Sequence, residues 1–213
     1  MDTLWIAAMI QITSSKGAFR DARLACQAVE ALSRAEAMGL LPARERIDTL
    51  DLAALKSVLK HMQRAGIGRT IYAAVNGDVA EAPALERLLA QLNSALEESP
   101  APEYEWKRLA GVLGVDLLAE LTGVSAVSVR RYKTAARSTP DDVAARVHHL
   151  AMIAGDLSGA YNDAGVRQWF HRKRAQLGGR APAELLRGDW DPKKTGPSQV
   201  RDLARALTAS PAA

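Results

Sequence analysis

The sequence is poor in cysteine and in aromatic residues. Its single cysteine, Cys26, cannot form an internal disulfide, which argues against a disulfide-stapled fold and favours a reducing compartment such as the cytoplasm. Aromatic residues make up 5% of the chain and β-branched runs are few, so little in the sequence favours a large sheet. Alanine and leucine dominate, and 48% of the 213 residues are hydrophobic. These features predict a mainly α-helical protein with a substantial core.

Long hydrophobic runs and catalytic motifs are also missing. The apolar run at residues 4–12 is shorter than the roughly 20 residues that cross a bilayer, and no basic segment precedes it. We therefore expect neither a signal peptide nor a membrane partner. No nucleophile–base pair or phosphate-binding loop is visible, and His148 and His149 have no cysteine or carboxylate at metal-ligand spacing. The protein is accordingly not expected to be an enzyme, and we expect no catalytic residues, no metal and no cofactor.

Positive charge is concentrated in the second half of the chain. Residues 1–100 carry 11 Lys or Arg and 12 Asp or Glu, a net charge of −1, whereas residues 101–213 carry 17 and 12, a net charge of +5. Residues 97–102, with the sequence EESPAP, contain two prolines and no apolar periodicity, which indicates a domain boundary. The second half is therefore the part expected to meet a polyanionic partner.

The first half shows three segments with apolar residues at helical spacing, at positions 14–39, 49–65 and 83–96. Residues 40–48 have the character of a connection, and residues 67–78, which include the turn signal Asn76-Gly77, have strand character. Cys26 falls inside the first helical pattern, which favours a buried thiol. We expect a helical N-terminal module over residues 1–100, in which the apolar terminus contributes to dimerisation.

Residues 117–137 have the pattern of a helix-turn-helix. Gly123 can supply the positive φ that a sharp break needs, and Ser125 stands where the second helix needs an N-cap. From Val129, the positions of Tyr132 and Ala136 fall on one face, which is expected to be buried. The alternative is an ordinary pair of amphipathic helices joined by a glycine turn.

The other face of the second helix carries the features of a DNA contact surface. Positions 123–137 include four basic residues and no acidic one, and the first turn of the helix is small, as entry into a major groove requires. We expect Arg131 and Thr134 to contact bases, and Arg130, Lys133 and Arg137 to hold phosphates. The whole candidate DNA-binding set is Ser125, Ala126, Val127, Ser128, Arg130, Arg131, Lys133, Thr134 and Arg137.

Residues 161–208 form a second informative stretch. A helix that carries Trp169 is followed by a glycine pair, by Pro182 at a helix start and by a final helix, and Trp190 lies in the loop between them. The tryptophans are typical of a small helical core that has few aromatics, and equally of a partner surface. Residues 166–180 hold five basic residues and no acid. This basic stretch suits either an acidic protein surface or flanking DNA phosphates.

From about position 106 to 207 the sequence resembles the bacterial Xre/MbcA/ParS-type antitoxins. These proteins have an Xre-like helix-turn-helix followed by a small helical toxin-binding domain. The chain departs from the family at Phe170, where leucine is common, at Arg174 and Ala175, where a Pro-Asn pair is common, and after the recognition helix, where a common glycine is absent. The matching residues are Leu118, Ala119, Gly123, Val124, Ser125, Val129, Arg146, Leu150, Trp169, Leu177, Gly178, Gly179, Pro182, Leu185, Leu186, Val200 and Leu203.

The resemblance implies an Xre-like domain at residues 101–160 and a toxin-binding domain at residues 161–213 whose action is separable from DNA binding. The implied function is an antitoxin that neutralises a RES-type, NAD-consuming toxin by direct binding. The resemblance also implies that the protein represses its own operon by binding operator double-stranded DNA, as a homodimer or as a higher complex with toxin. The alternative is a stand-alone helix-turn-helix transcriptional regulator with an N-terminal sensing or dimerisation module. The implied toxin-binding residues are Trp169, Arg180, Pro182, Leu185, Leu186, Trp190, Asp191, Lys193 and Lys194.

The dimerisation hypothesis can be tested by removing residues 1–100. Light scattering should then report an assembly that is smaller by more than the missing mass, because the dimer contacts are lost with the N-terminal module. If the shortened chain keeps the stoichiometry of the full-length protein, dimerisation resides in the second half.

Overall fold

The computed structural model describes residues 10–42, 47–76 and 82–209. Over these residues the protein is mainly α-helical, with eleven α-helices and two short β-strands, which confirms the predicted fold class. None of the helices in these ranges is both long and apolar enough to cross a membrane. The chain divides into two compact units, the first comprising residues up to 99 apart from 37–39, and the second comprising residues 37–39 and those from 100 onward.

The N-terminal unit begins with a strand–helix–strand arrangement. Strand β1 (Ile10–Ser15) pairs in parallel with β2 (Ile47–Leu50), with Ile10 opposite Ile47 and Ser15 opposite Leu50. A helix connects the two strands, and three more follow β2. These four helices are α1 (Ala22–Ala37), α2 (Leu52–Met62), α3 (Arg69–Asn76) and α4 (Ala82–Glu98).

A buried arginine joins α1 to α4 inside this unit. The guanidinium group of Arg34 donates a 3.1 Å hydrogen bond to Asn93 Oδ1 and forms ion pairs with Glu30 and Glu97. Burying this charge is tolerated because acceptors surround it. Around it, the two helices bury small and aliphatic side chains, namely Ala28, Ala31, Leu32, Ala35, Leu85, Leu89, Leu92 and Leu96.

Two of the secondary-structure predictions for this unit are wrong. Residues 67–78 were expected to have strand character, but α3 covers most of them, because Ile71 and Val75 lie four residues apart and are both buried. Residues 14–15 and 47–50 lie in strands rather than in a helix or a connection. Strand β1 depends on its pairing with β2, which is distant in sequence and therefore left no local signal.

Other expectations for this unit have mixed outcomes. The helices expected at 49–65 and 83–96 are present as α2, with a 3₁₀ turn at Gln63–Ala65, and as α4. Cys26 was expected to be buried, but it is exposed on α1. Residues 4–9 of the apolar terminus, residues 43–46 of the expected connection, and Gly77 of the turn signal lie outside the described residues.

The second unit is built around one long helix, α8. Fourteen of its eighteen residues are buried, because it packs against α5, α6, α9 and α11. The helices of this unit are α5 (Pro102–Leu113), α6 (Val115–Thr122), α7 (Ala126–Lys133), α8 (Asp141–Ser158), α9 (Asp163–His171), α10 (Pro182–Leu185) and α11 (Thr195–Ala209).

Polar groups in α8 bond to the helices that cover it. Glu105 of α5 is fully buried, and its Oε1 lies 2.6 Å from Nδ1 of His148. Burial raises the pKa of the Glu105 carboxyl, and His148 opposes this effect. On the other side of α8, Arg201 of α11 donates a 2.8 Å hydrogen bond to Asp156. These contacts fix the register of α5 and α11 on α8.

His149 of α8 is also buried. Its Nε2 lies 3.2 Å from the carbonyl oxygen of Pro197 and must donate, because a carbonyl oxygen only accepts. The pKa of His149 is lowered from 6.5 to about 4, chiefly by burial and then by the nearby Arg201 and His148, against the effect of the Pro197 carbonyl. Neutral His149 is thus the form that the folded unit accommodates.

Stability should therefore fall as the pH is lowered from about 6.5 to about 4. In this window the unfolded chain takes up a proton at His149 that the folded protein rejects, so unfolding is favoured by an amount on the order of 3 kcal/mol at the acid end. The variant His149→Gln keeps a donor for Pro197 but does not titrate. Its free energy of unfolding, measured by chemical denaturation at pH 7 and pH 4.5, should fall less than that of the wild type. An equal fall in both proteins would contradict this assignment.

Candidate DNA-binding helix and C-terminal surface

The turn between α6 and α7 has the geometry that the sequence predicts. Gly123 adopts a left-handed conformation with φ of 72°, its N–H donates to Glu120 O, and the N–H of Val124 donates to Ala119 O. This pair of bonds is a Schellman cap, which closes α6. The Ser125 side chain then accepts a 3.1 Å hydrogen bond from the N–H of Ser128 and caps the start of α7.

One face of α7 is buried against α5. Val129 and Tyr132 have exposed fractions of 0% and 4%, and the Tyr132 ring stacks on Trp106 of α5 with 5.1 Å between ring centroids. The indole N–H of Trp106 donates a 2.9 Å hydrogen bond to Thr139 Oγ1. Ala136 does not extend this face, because α7 ends at Lys133 and Ala136 is exposed.

The opposite face of α7 is open to solvent. Val127, Arg130 and Arg131 are all exposed on it, and they share that face because they are spaced by three and four residues. Lys133 is exposed as well, and the guanidinium group of Arg137 lies 5.6 Å from the centroid of the Tyr132 ring. Of the first-turn candidates, Ser125 is exposed, whereas Ala126 and Ser128 are half-buried.

Thr134 has a structural role that the sequence did not indicate. It is the C-cap of α7, and its Oγ1 lies 3.1 Å from Arg130 O and 3.2 Å from Arg131 O. Its hydroxyl proton is therefore directed to the helix backbone. Base contacts in a helix-turn-helix come mainly from the N-terminal part of the recognition helix. This position makes Thr134 a weaker candidate for base contact than Arg131.

At the end of α7, a residue other than glycine adopts the left-handed conformation. Ala135 has φ of 55°, and among the described residues it alone combines a side chain with positive φ. The N–H of Ala135 donates to Tyr132 O, and that of Ala136 donates to Arg131 O. Both helices of the motif thus end in the same Schellman cap, but α7 ends with alanine at the strained position.

The candidate toxin-binding residues separate into a buried group and an exposed group. Trp169, Pro182 and Leu186 belong to the core of the second unit, and Leu185 is half-buried. These residues support a surface and do not form it. The exposed candidates are Arg180, Asp191, Lys193 and Lys194.

The basic stretch at residues 166–180 divides in a similar way. Arg167 donates a 2.5 Å hydrogen bond to Val112 O of α5, and the half-buried Arg174 lies over the Trp169 ring. Phe170 is fully buried and contacts the edge of Trp169. The antitoxins that the sequence resembles commonly have leucine at this position. Only the exposed members, Arg172, Lys173 and Arg180, are placed to meet a partner.

The loop between α10 and α11 is held against the helix-turn-helix. The indole N–H of Trp190 donates a 2.7 Å hydrogen bond to Leu121 O of α6. A Cβ built on Gly123 would lie 2.3 Å from the carbonyl oxygen of Gly188, so the two backbones touch. Trp190 and Gly188 are therefore not available to a partner while these contacts are kept. The structure fixes the ends of the loop and leaves Lys193 and Lys194 exposed between them.

Arg146 is the residue of this region whose role sequence reasoning missed. Its guanidinium group, on α8, bonds to Asp142, to the carboxylate of Asp189 at 2.5 Å and to the carbonyl oxygen of Gly188 at 3.3 Å. The resemblance included Arg146 without a reason for it. Gly188 and Asp189 lie more than 40 positions away, so no local pattern could have identified these two partners.

The described residues contain no group of three or more His, Cys, Asp or Glu side chains that could hold a metal ion. Comparisons of the chain with protein-family models, with curated proteins and with solved structures found no match.

Two substitutions at the helix ends should change stability in opposite directions. Ala135→Gly should raise the free energy of unfolding by about 1 kcal/mol, because glycine accepts positive φ without strain. Gly123→Ala should lower it by more than about 2 kcal/mol, because strain adds to the clash with Gly188 O. Chemical denaturation provides both values, and Ala136→Gly is the matched control for a glycine placed outside the strained position. If Ala135→Gly and Ala136→Gly have the same effect, φ strain at Ala135 is not significant.

Proposed function

We propose that this protein is an antitoxin that binds a RES-type, NAD-consuming toxin and represses its own operon through α7. The observation that carries the proposal is a capped helix-turn-helix whose second helix buries Val129 and Tyr132 and presents Val127, Arg130 and Arg131 to solvent. The family resemblance supplies the toxin. Operator DNA and a toxin that consumes NAD are both met in the cytoplasm, where we place the protein, and we assign it no catalytic activity.

The charge on α7 supports DNA binding. Arg130, Arg131, Lys133 and Arg137 are exposed, and no acidic residue lies between positions 123 and 137. A guanidinium group can donate two hydrogen bonds to guanine O6 and N7, and lysine can neutralise a phosphate. The small first turn allows the helix backbone to approach the bases.

The exposed cations on the loop between α10 and α11 support toxin binding. Lys193 and Lys194 lie on a loop whose ends are held by Trp190 and by the contact of His149 with Pro197. A loop that is already ordered loses little conformational entropy when it binds a partner. Its positive charge complements an acidic surface around a toxin active site.

Because of the same contacts, deleting the C-terminal residues would not separate toxin binding from DNA binding. Removing residues 189–213 would eliminate the hydrogen bond from Trp190 to α6. It would also take the buried side chains of Val200 and Ala204 of α11 out of the core. The helix-turn-helix would lose stability along with the toxin-binding surface. Charge reversal at exposed positions is therefore the better way to separate the two activities.

A stand-alone transcriptional regulator is the second candidate, and one feature of the N-terminal unit favours it. A cleft of about 400 Å³ lies at the carboxyl ends of β1 and β2. Its lining includes Lys16, Phe19, Asp51 and Leu85. Ligands of α/β proteins commonly bind outside the carboxyl ends of parallel strands. A sensing role for this unit would need no toxin.

The proposal predicts a RES-type toxin encoded beside this gene, and it is tested in cells that express that toxin, with growth and NAD level as readouts. Wild-type protein should restore both. The double variant Arg130→Ala, Arg131→Ala should also restore them, but it should bind the promoter fragment of its operon at least tenfold more weakly. Lys193→Glu, Lys194→Glu should lose protection and keep promoter binding, because these residues are exposed and do not belong to α7.

The matched control is Arg20→Glu, Lys60→Glu, which makes the same change in net charge at exposed positions of the N-terminal unit. It should protect fully. Absence of protection by the wild type would reject the antitoxin function and leave the regulator. Full protection by the Lys193 and Lys194 variant would place the inhibitory surface elsewhere. Unchanged promoter binding by the Arg130 and Arg131 variant would remove the role assigned to α7.

A further inference from the structure

Val127 is the one large hydrophobic side chain that the described part of the chain leaves exposed, with 54% of its surface accessible. A single exposed hydrophobic side chain is common on protein surfaces, so what Val127 indicates depends on its position and on its neighbours. Its position is the second residue of α7, on the face opposite Val129 and Tyr132. The exposed apolar group thus sits at the leading end of the proposed recognition helix.

Val127 is the residue in the first turn of α7 that is most available to a partner. Ala126 and Ser128 are half-buried. The Ser125 hydroxyl is occupied by the N–H of Ser128 and lies 3.0 Å from the Ser128 hydroxyl. Among the four residues that begin the helix, only Val127 therefore combines exposure with a side chain that has no intramolecular task.

Two cationic residues lie one helical turn after Val127, on the same face of α7. Arg130 and Arg131 follow it by three and four positions, and both are exposed. An apolar contact flanked by cations, with no carboxylate in the segment, does not suit a protein partner's hydrophobic pocket as well as it suits the major groove. There the 5-methyl group of thymine is the apolar feature among hydrogen-bonding edges and phosphates.

We propose that Val127 contacts the 5-methyl group of a thymine and so gives the protein a preference for an A·T pair at one position of each half-site. This inference rests on the proposed DNA-binding function. Four residues of helix span about 6 Å, which is close to two base steps of about 3.4 Å. The thymine lies within about two base pairs of the guanine that Arg131 contacts.

The test uses full-length protein and duplexes that the wild type enriches from a pool with a randomised central region. Each thymine of the enriched duplex is then replaced singly by deoxyuridine, which removes the 5-methyl group and keeps the base pair. At one position, or at two related by symmetry, the replacement should weaken wild-type binding about fourfold, the effect of one buried methyl group. The other replacements should have no effect.

Variants of the protein are then measured against the same two duplexes, with and without the 5-methyl group. Val127→Ala should bind the thymine duplex about as weakly as the wild type binds the deoxyuridine duplex, and should not distinguish the two. Lys133→Ala is the matched control, because its loss of a phosphate contact should weaken both duplexes equally and preserve the fourfold difference. Circular dichroism of each variant checks that the helices are retained.

The outcomes separate the inference from the function on which it rests. If the wild type enriches no duplex, the DNA-binding proposal itself fails. If it enriches a duplex but tolerates deoxyuridine at every position, DNA binding stands and the assignment of Val127 is overturned. If Val127→Ala still distinguishes thymine from deoxyuridine, another side chain contacts the methyl group and the inference is equally overturned.

Discussion

The stack of Tyr132 on Trp106 is the contact on which the orientation of the proposed recognition helix depends. Trp106 is fully buried, its ring lies 5.1 Å from that of Tyr132, and its N–H bonds to Thr139 Oγ1 in the segment that leads into α8. The indole of Trp106, which belongs to α5, therefore contacts both the second helix of the motif and the chain beyond it. With Val129 beside it, the stack determines which face of α7 is buried and which meets solvent.

A second constraint links the C-terminal loop to the turn of the motif. Gly188 O occupies the space where a Gly123 side chain would be, and the Trp190 N–H satisfies the Leu121 carbonyl. Glycine at position 123 thus meets two requirements, a positive φ and a close backbone approach. Because the loop and the turn share these contacts, a partner that displaced the loop would also disturb α6. On the proposed function, toxin binding and operator binding would be energetically coupled.

The second unit also shows that a helix can end in a Schellman cap without glycine. Ala135 takes the left-handed position at the end of α7, and the same two capping hydrogen bonds form as at the end of α6. The cost is local strain of about 1 kcal/mol, which is small compared with the stability of a folded domain.

The sequence alone determined the helical class, the Gly123 turn, the Ser125 cap and the exposed cationic face of α7, because these depend on interactions within a few residues. It failed where distant residues decide. Strand β1 exists through its pairing with β2, Trp169 and Leu186 are core because α9, α10 and α11 close over them, and Arg146 bonds to Asp189 across 43 positions. Only the tertiary structure could show that the loop around Trp190 rests on α6, since neither segment carries a local signal for the other. Periodicity reports which side of a helix is apolar, but the partner that covers that side is decided by the packing of the whole unit.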